Sequence, residues 1–409
     1  MGRMQCCSSA IIACEVLYES VLPMKNILII GAGYLQDFVI LKAKELGYYT
    51  LAIDGSPDAI GLCHADKSAV INIVDPIACY EYAKNEDIDG VLTVATDYAI
   101  ISTSYVAEKL NLPGLNYETA KIIKNKYEIR KRLMAMYVDD INQAYEIDFD
   151  TDLNSLSITY PVIVKPCDGS GSRSTELVDC LDKLKSACIN AISDSKIGKA
   201  IVETFVYGNE YGAESLVVNG DIHVLGIMKK WMTDPPYYAE LGHQIPSELP
   251  PDIELKAIKC VEKAIRALNI NHGAVNMDLI INAYGDVHII DVGARMGGNM
   301  IGPCIIPIGT GNKYLENLIR TAVGDSPDWN RNTPRQVATR LLAFKGGIVR
   351  QLPDFTSLEQ TYDVKIYHHM KEGDVINEYH TNLDGCGYII AHDKETADIV
   401  FSEIEKYVN

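Results

Sequence analysis

Residues 161–172 read PVIVKPCDGSGS, an apolar strand that runs directly into a loop rich in glycine and serine. The strand ends near Lys165, and the loop begins at Asp168. Glycine lets main-chain N–H groups approach a polyphosphate closely, so a lysine beside such a loop is typical of a phosphate clamp. Taken alone, the pattern also fits a surface lysine before a turn.

The segment 202–210 follows this loop and supplies groups that suit a nucleotide base and ribose. It is a predicted strand that runs into a short connection, with Glu203 at one end and Glu210 at the other. The main chain of such a connection offers donors and acceptors to an adenine edge, and a carboxylate accepts from ribose hydroxyls. Acids beside strands are common, so this segment is weak support by itself.

A predicted hairpin with carboxylates on both strands is the third element. Residues 274–281 and 287–292 read as strands, and the short turn between them brings Asp278 opposite Asp291. Two facing carboxylates repel unless a cation lies between them, and carboxylate oxygens suit Mg²⁺. The hairpin therefore predicts a metal site, with a solvated surface pair as the alternative. Asn276 precedes Asp278, and Arg295 and Asn299 follow Asp291 in a glycine-rich loop.

Upstream of these elements, residues 24–115 alternate short apolar runs with amphipathic stretches. This rhythm predicts a doubly wound α/β domain with a parallel sheet. Its first turn contains Gly31 and Gly33, and Asp54 ends the second strand, as in a dinucleotide-binding site. Gln36 stands where the third glycine of that fingerprint belongs. An NAD(P)-binding oxidoreductase is therefore an alternative from a different functional class.

Composition restricts the partners of the 409-residue chain. It carries 55 acidic and 37 basic side chains, a net charge of -18, which repels phosphate backbones and anionic lipid. Nucleic acid and membrane are therefore not expected as partners. The eleven cysteines form no CxxC pair, which favours a reducing, cytoplasmic location. Residues 1–23 are expected to be an extension ahead of the first strand.

The order of these motifs resembles that of the ATP-grasp superfamily of carboxylate–amine ligases, a group that includes carbamoyl-phosphate synthetase, biotin carboxylase and amino-acid ligases of the bacilysin-synthetase type. The resemblance covers nearly the whole chain. It implies an α/β pre-ATP-grasp domain at 24–115 and an ATP-grasp domain of two α+β subdomains at 116–330, with a flexible lid at about 137–205. It also implies a small α+β lobe at 331–409. One helix is expected around 118–136.

The resemblance also implies a role for each residue of the motifs. Lys126 and Lys165 would hold the phosphates of ATP, and Gly169, Ser170, Gly171 and Ser172 would fold over them. Glu203 with the main chain of Phe205 and Val206 would contact adenine, and Glu210 the ribose. Asp278 and Asp291 would bind Mg²⁺, with Mn²⁺ as a second candidate, and Arg295 would stabilise the acyl phosphate and the tetrahedral intermediate.

Two departures from the family pattern concern the metal site. Family members often carry glutamate where Asp291 stands and asparagine where this chain has Gly293. The departures therefore imply either reduced metal affinity or a replacement ligand, for which Asn276 and Asn299 are the candidates. His243, in the aromatic-rich segment 229–246, is a further candidate for binding substrate or metal, and this segment is expected either to cover an acceptor pocket or to serve as a packing loop.

The expected activity is ATP-dependent ligation of a small carboxylate, such as an amino acid, to an amine. The carboxylate becomes an acyl phosphate, and ADP and phosphate are released. Carboxylation through carboxyphosphate, NAD(P)-dependent oxidoreduction and non-catalytic nucleotide sensing are the alternatives. Homodimer formation is left open.

Overall fold

The computed structural model describes residues 24–169, 171, 173–234, 238–381 and 384–408. The predicted extension at 1–23 and the predicted phosphate-loop residues Ser170 and Ser172 lie outside the described residues. In the part of the chain that the structure describes, no helix is both long enough and apolar enough to cross a bilayer.

A parallel sheet forms the first layer, as the alternating pattern predicts. Its strands lie in the order β3-β2-β1-β4. On β1, Ile27 and Ile29 join one core cluster, whereas Leu28 and Ile30 join another. Both faces of the sheet are therefore covered, as in doubly wound folds. The elements are β1 (Asn26–Ile30), α1 (Tyr34–Glu45), β2 (Tyr49–Asp54), α2 (Gly61–His64), β3 (Lys67–Val70), α3 (Pro76–Ala83), β4 (Gly90–Leu92) and α4 (Ile100–Leu110).

The connection to the next layer differs from the prediction of one helix around 118–136. Two helices are present, α5 (Tyr117–Ile123) and α6 (Lys126–Ala135). The side chain of Asn125 accepts hydrogen bonds from the N–H groups of Tyr127 and Glu128 at 2.9 and 3.2 Å and so caps α6. Asparagine competes with helical hydrogen bonding in this way, which ends one helix and begins another.

A small antiparallel sheet occupies the range 144–204, within the segment expected to be the lid. Its strands lie in the order β5-β8-β6-β7, and they pack against one helix around a separate apolar core. Lys165 lies on β6 and Glu203 on the neighbouring β8. The elements are β5 (Ala144–Ile147), β6 (Val162–Pro166), β7 (Glu176–Val178), α7 (Leu181–Asp194) and β8 (Ala200–Thr204).

The largest sheet is antiparallel and has eight strands in the order β13-β12-β9-β10-β11-β14-β18-β16. Its first part contains β9 (Asn209–Val218), β10 (Asp221–Met232), β11 (Glu240–Ile245), α8 (Pro251–Ala267), β12 (Gly273–Ile281), β13 (Val287–Gly293), α9 (Ile306–Thr310) and α10 (Tyr314–Ala322). The segment 229–246 thus belongs mostly to two strands of this sheet. The mixed α/β and α+β fold class is confirmed.

The tail after residue 331 continues this same sheet while keeping a core of its own. Strand β14 pairs with β11, and the apolar cluster of the tail is built around Phe344, Ile389 and Val400. The domain boundary at 331 therefore remains a prediction. The tail contains β14 (Val337–Leu341), β15 (Lys345–Ile348), α11 (Phe355–Tyr362), β16 (Lys365–His368), β17 (Val375–Glu378), β18 (Gly387–Ala391) and α12 (Lys394–Glu405).

One shared core holds the first layer against the central sheet. Val39 and Ile40 of α1 belong to the same buried cluster as Leu318 and Ile319 of α10. Next to this cluster, the N–H of Ala95 donates to the carbonyl of Met296 at 3.0 Å. This contact brings the loop after β4 beside the loop after β13.

Candidate active site

A cleft of about 1130 Å³ opens between the small sheet of β5, β6, β7 and β8 and the central sheet, and it reaches the loop at 95–98. The structure brings most of the predicted site residues to its walls. These are Lys126, Lys165, Gly169, Gly171, Glu203, Phe205, Val206, Glu210, Asn276, Asp278, Asp291, Arg295 and Asn299. Their individual roles remain predictions. His243 does not contribute to the lining of the cleft.

The two predicted metal carboxylates face each other on the hairpin of β12 and β13. Asp278 is the ladder partner of Asp291, directly before a β-bulge in the pairing. Each carboxylate contacts a lysine: Asp291 pairs with Lys126, and Asp278 accepts from Lys230 at 2.9 Å. Burial raises the pKa of Asp278, against the opposing effect of Lys230. The ammonium groups of Lys126 and Lys230 thus partly neutralise the two facing carboxylates.

This pair of carboxylates fits a Mg²⁺ site of the kind that phosphates complete. Among the residues that the structure describes, no group of three or more His, Cys, Asp or Glu side chains is close enough to hold a metal unaided. Mg²⁺ commonly takes one or two carboxylates and fills its remaining positions with water and substrate phosphates. Asp278 and Asp291 supply that share of the ligands.

Lys230 is a central residue of the site that the sequence analysis missed. It is 6% exposed, and its ammonium lies 2.5 Å from Glu240, 2.9 Å from Asp278 and 3.6 Å from Glu210. Burial alone would lower the pKa of Lys230, but the carboxylates of Asp278, Glu240 and Glu210 raise it well above its ordinary value. The sequence signal for Lys230 was a charged residue within a largely apolar strand. A register shift in β10 between Val224 and Gly226 hides from the sequence which face of the sheet Lys230 occupies.

Glu203 is 3% exposed, and its carboxylate connects the small sheet of β5, β6, β7 and β8 to α6. One carboxylate oxygen lies 2.7 Å from Lys165 and the other accepts from Arg130 at 2.8 Å. Arg130 in turn pairs with Asp139 at 3.1 Å. Both oxygens of Glu203 are therefore committed to cations, and the carboxylate orients Lys165 towards the cleft.

Arg295 contacts the first layer as well as the hairpin. Its Nε and Nη2 atoms each lie 3.1 Å from a carboxylate oxygen of Asp97, and Nη1 lies 3.4 Å from Oδ1 of Asn276. Burial alone would raise the pKa of Asp97, but Arg295 lowers it. A Cβ atom at Gly293 would lie 3.1 Å from the guanidinium carbon. Glycine at 293, a departure from the family pattern, therefore leaves room for Arg295 to fold back.

A fully buried glutamate supports the loop that carries Arg295. The carboxylate of Glu214 accepts from Tyr314 at 2.5 Å, from Asn276 at 2.9 Å and from the N–H of Gly297 at 3.0 Å. Burial raises the pKa of Glu214 to about 7. The sequence analysis missed Glu214, Tyr314 and Asp97, because their partners lie far away along the chain.

A family model for the ATP-grasp domain matches residues 158–303, which contain β6 with Lys165 and the hairpin with Asp278 and Asp291. Residues 158–303 form an ATP-grasp domain. Many residues that line the cleft described above belong to this segment, and the first layer and the tail lie on either side of it in the chain.

Relatives and solved structures extend the likeness beyond the ATP-grasp domain. The uncharacterized protein y4rH of Sinorhizobium fredii is 26% identical over 322 residues, which cover 75% of this chain and 64% of that protein. The chain spans about half the length of other curated relatives. Phosphoribosylglycinamide synthetase from Anaerococcus prevotii is 26% identical, with a TM-score of 0.75 over 94% of this chain and 98% of that one. L-amino acid ligase from Bacillus licheniformis, at 24% identity and a TM-score of 0.79, shares the fold over 94% of this chain and 98% of its own.

His243 lies on β11 and does not line the cleft. It is 1% exposed, its Nε2 atom lies 3.9 Å from Glu240, and burial lowers its pKa to about 4. Glu240 also accepts from Asn299, which lines the cleft. His243 thus adjoins a carboxylate that lines the cleft, and a direct contact with substrate or metal remains a prediction.

The low pKa of His243 predicts acid sensitivity of the fold. Between about pH 6.5 and about pH 4 the unfolded chain binds a proton at this position that the folded chain does not, so stability is lost as the pH falls through this window. The loss should amount to about 3 kcal/mol in total. Urea unfolding at several pH values should show a shallower pH dependence for His243→Gln than for the wild type. His392→Gln, which alters an exposed histidine, should keep the wild-type slope, and an unchanged slope in His243→Gln would contradict the prediction.

Proposed function

We propose that this protein is an ATP-dependent carboxylate–amine ligase that activates a small carboxylate, such as an amino acid, as an acyl phosphate. The observation that carries the proposal is the facing pair Asp278 and Asp291 in one cleft with Lys126, Lys165 and Arg295. Such a reaction requires carboxylates that bind a metal, cations that bind phosphates and a positive charge that stabilises the developing oxyanion. The two aspartates, the two lysines and the arginine supply these groups.

In this proposal the nucleotide lies between the lid sheet and the central sheet. The main chain of Phe205 and Val206 contacts the adenine edge, and Glu210 accepts from the ribose. Lys165, held in place by Glu203, donates to the phosphates. Gly171, at a φ of +67°, adopts a conformation that glycine tolerates readily and so shapes the loop over them.

Asp278 and Asp291 would hold the divalent ions, Mg²⁺ or Mn²⁺. Bound there, a divalent ion would neutralise the charge on the phosphate oxygens and so permit attack by an anionic carboxylate. Lys126 and Lys230 then keep the metal carboxylates in position from either side. A carboxylate pair without such flanking cations would be less firmly oriented.

The chain's side chains account for both chemical steps. Lys165 and Lys126 offset the repulsion when an oxygen of the acid attacks the γ-phosphorus and the bond to the bridging oxygen of ADP breaks. Arg295 stabilises the oxyanion formed when the amine nitrogen adds to the acyl carbon. Phosphate then leaves with the electrons of the C–O bond, and the nitrogen gives up one proton as the amide forms. A cleft closed by the lid limits hydrolysis of the acyl phosphate.

Two features of the first layer speak against the oxidoreductase alternative. Asp54, the candidate ribose acid, accepts hydrogen bonds from the N–H groups of Ala32 and Ser56, each at 2.8 Å. Gln36 donates to the carbonyl of Val94 at 2.6 Å and packs beside Gly31 and Gly33. Asp54 therefore stabilises the turn, and Gln36 occupies the space where a third glycine would admit a pyrophosphate.

The decisive experiment is ADP release measured with a panel of carboxylic acids, each with and without amines. We expect an acid to be required for ADP release, and hydroxylamine to trap the acyl phosphate as a hydroxamate. Mass spectrometry should then find an amide when a suitable amine is present. ADP release that depends on bicarbonate instead would indicate a carboxylase, and ATP binding without turnover under any condition would indicate a nucleotide sensor.

A further inference from the structure

A small polar cavity lies where the start of α6, the glycine loop, the end of β13 and the loop at 95–98 meet. Its lining includes Lys124, Lys126, Asp168, Asp291 and Arg295. It therefore adjoins both the predicted phosphate loop and the predicted metal carboxylates, at the inner end of the cleft. Lys124 has so far been given no role.

The ammonium group of Lys124 has no hydrogen-bond or ion-pair partner anywhere in the described ranges. The other two cations of the cavity are paired, Lys126 with Asp291 and Arg295 with Asp97. Burial lowers the pKa of Lys124, and the charge of Lys126 lowers it further, against the opposing effects of Asp97, Asp291 and Asp168. A partly buried cation without a partner is costly unless an anion compensates it.

The backbone explains why two lysines line one cavity. Asn125 caps α6 and breaks the helical path, so Lys124 and Lys126 on either side of it both line the cavity. Lys121, one turn earlier on α5, shows the usual surface arrangement, because its ammonium pairs with Glu118 and its side chain is 45% exposed. The carboxylates of Asp97, Asp168, Asp278 and Asp291 line the same cavity, so a phosphate would enter it together with the divalent ions that Asp278 and Asp291 are proposed to hold.

We propose that Lys124, together with Lys126 and Arg295, forms a subsite for the phosphoryl group in transfer and for the orthophosphate that leaves. This proposal rests on the proposed ligase function. Phosphate is favoured over the carboxylate of the acid substrate because Asp168 and Gly169 of the glycine loop and both metal carboxylates line the same cavity. A phosphate dianion also offers three oxygens, enough to accept from all three cations at once.

The test measures binding of orthovanadate, a mimic of the phosphoryl group, to the full chain saturated with ADP and Mg²⁺. We expect Lys124→Met to weaken orthovanadate binding about 10-fold or more, since a charge-assisted hydrogen bond is lost. ADP affinity should change less than about twofold, and Lys124→Arg should retain most of the orthovanadate affinity. Lys121→Met is the matched control and should behave as the wild type.

Three results would overturn the subsite: unchanged orthovanadate affinity in Lys124→Met, an equal loss of ADP and orthovanadate affinity, or a wild-type protein that binds ADP but not orthovanadate. A melting curve of each variant shows whether it is folded. Neither an acid nor an amine is needed in this titration. Absence of ADP release in the substrate panel would therefore refute the ligase proposal, whereas the orthovanadate titration would still test the subsite independently.

Discussion

Replacing Arg295 by alanine is expected to lower the rate of ADP release about 10²–10³-fold, the usual cost of removing one preorganised stabiliser of an oxyanion. The guanidinium cannot lose its proton, so it offers a fixed positive charge where the intermediate forms. ATP affinity should stay nearly unchanged, because the effect falls on the transition state. Measurements of turnover and of ATP binding on the same preparation check both expectations.

The ion pair between Arg295 and Asp97 requires a second variant in this experiment. Arg295→Ala leaves the carboxylate of Asp97 without its cation in a partly buried pair, so we expect the melting temperature to fall. Asp97→Asn combined with Arg295→Ala removes both charges and should recover much of the melting temperature. If the double variant also turns over at the rate of Asp97→Asn alone, Arg295 only ties the two layers together and its catalytic role is refuted.

The second large effect concerns the metal site. Asp291→Asn keeps the shape of the side chain but removes one negative charge from the facing pair, so we expect half-maximal activity to need about 10–100-fold more Mg²⁺. Turnover at saturating Mg²⁺ should also fall, because Lys126 loses its partner at the same time. Titration of activity against Mg²⁺ at a fixed ATP concentration gives both quantities.

Asp221→Asn is the matched control for this change, since Asp221 is an exposed aspartate at the start of a strand of the same sheet. It should keep the Mg²⁺ dependence of the wild type. An unaltered Mg²⁺ dependence in Asp291→Asn would place the metal elsewhere in the cleft. Circular dichroism spectra of both variants show whether a change in Mg²⁺ dependence arises from a change in folding.

Local pattern predicted the elements that depend on neighbouring residues. The turn between β12 and β13 is short, so it brings the two carboxylate-bearing strands together as a hairpin. A bulge between Asp278 and Leu279 then shifts the register by one residue and places Asp278 opposite Asp291 instead of Ile290. The strand that carries Lys165, β6, was likewise readable from its apolar run. One local signal was misread: Asn125 breaks the expected helix around 118–136, because its side chain caps a new helix.

Contacts between distant segments could not be read in this way. Arg295 and Asp97 meet because the loop after β4 bonds to the loop after β13, which follows from how the first layer packs on α10. Lys230 points among three carboxylates only after a register shift in its strand. Likewise, the tail extends the central sheet instead of standing apart from it.

The sequence by itself thus determined the order of the layers, the glycine loop and the carboxylate hairpin, because periodicity and short turns act over a few residues. Only the tertiary structure decided which charges meet. Lys165 is oriented by Glu203, Lys126 by Asp291 and Arg295 by Asp97. Each of these pairs joins segments that are remote in the chain, and the energy of a charge depends on its burial and on the partners that packing places beside it.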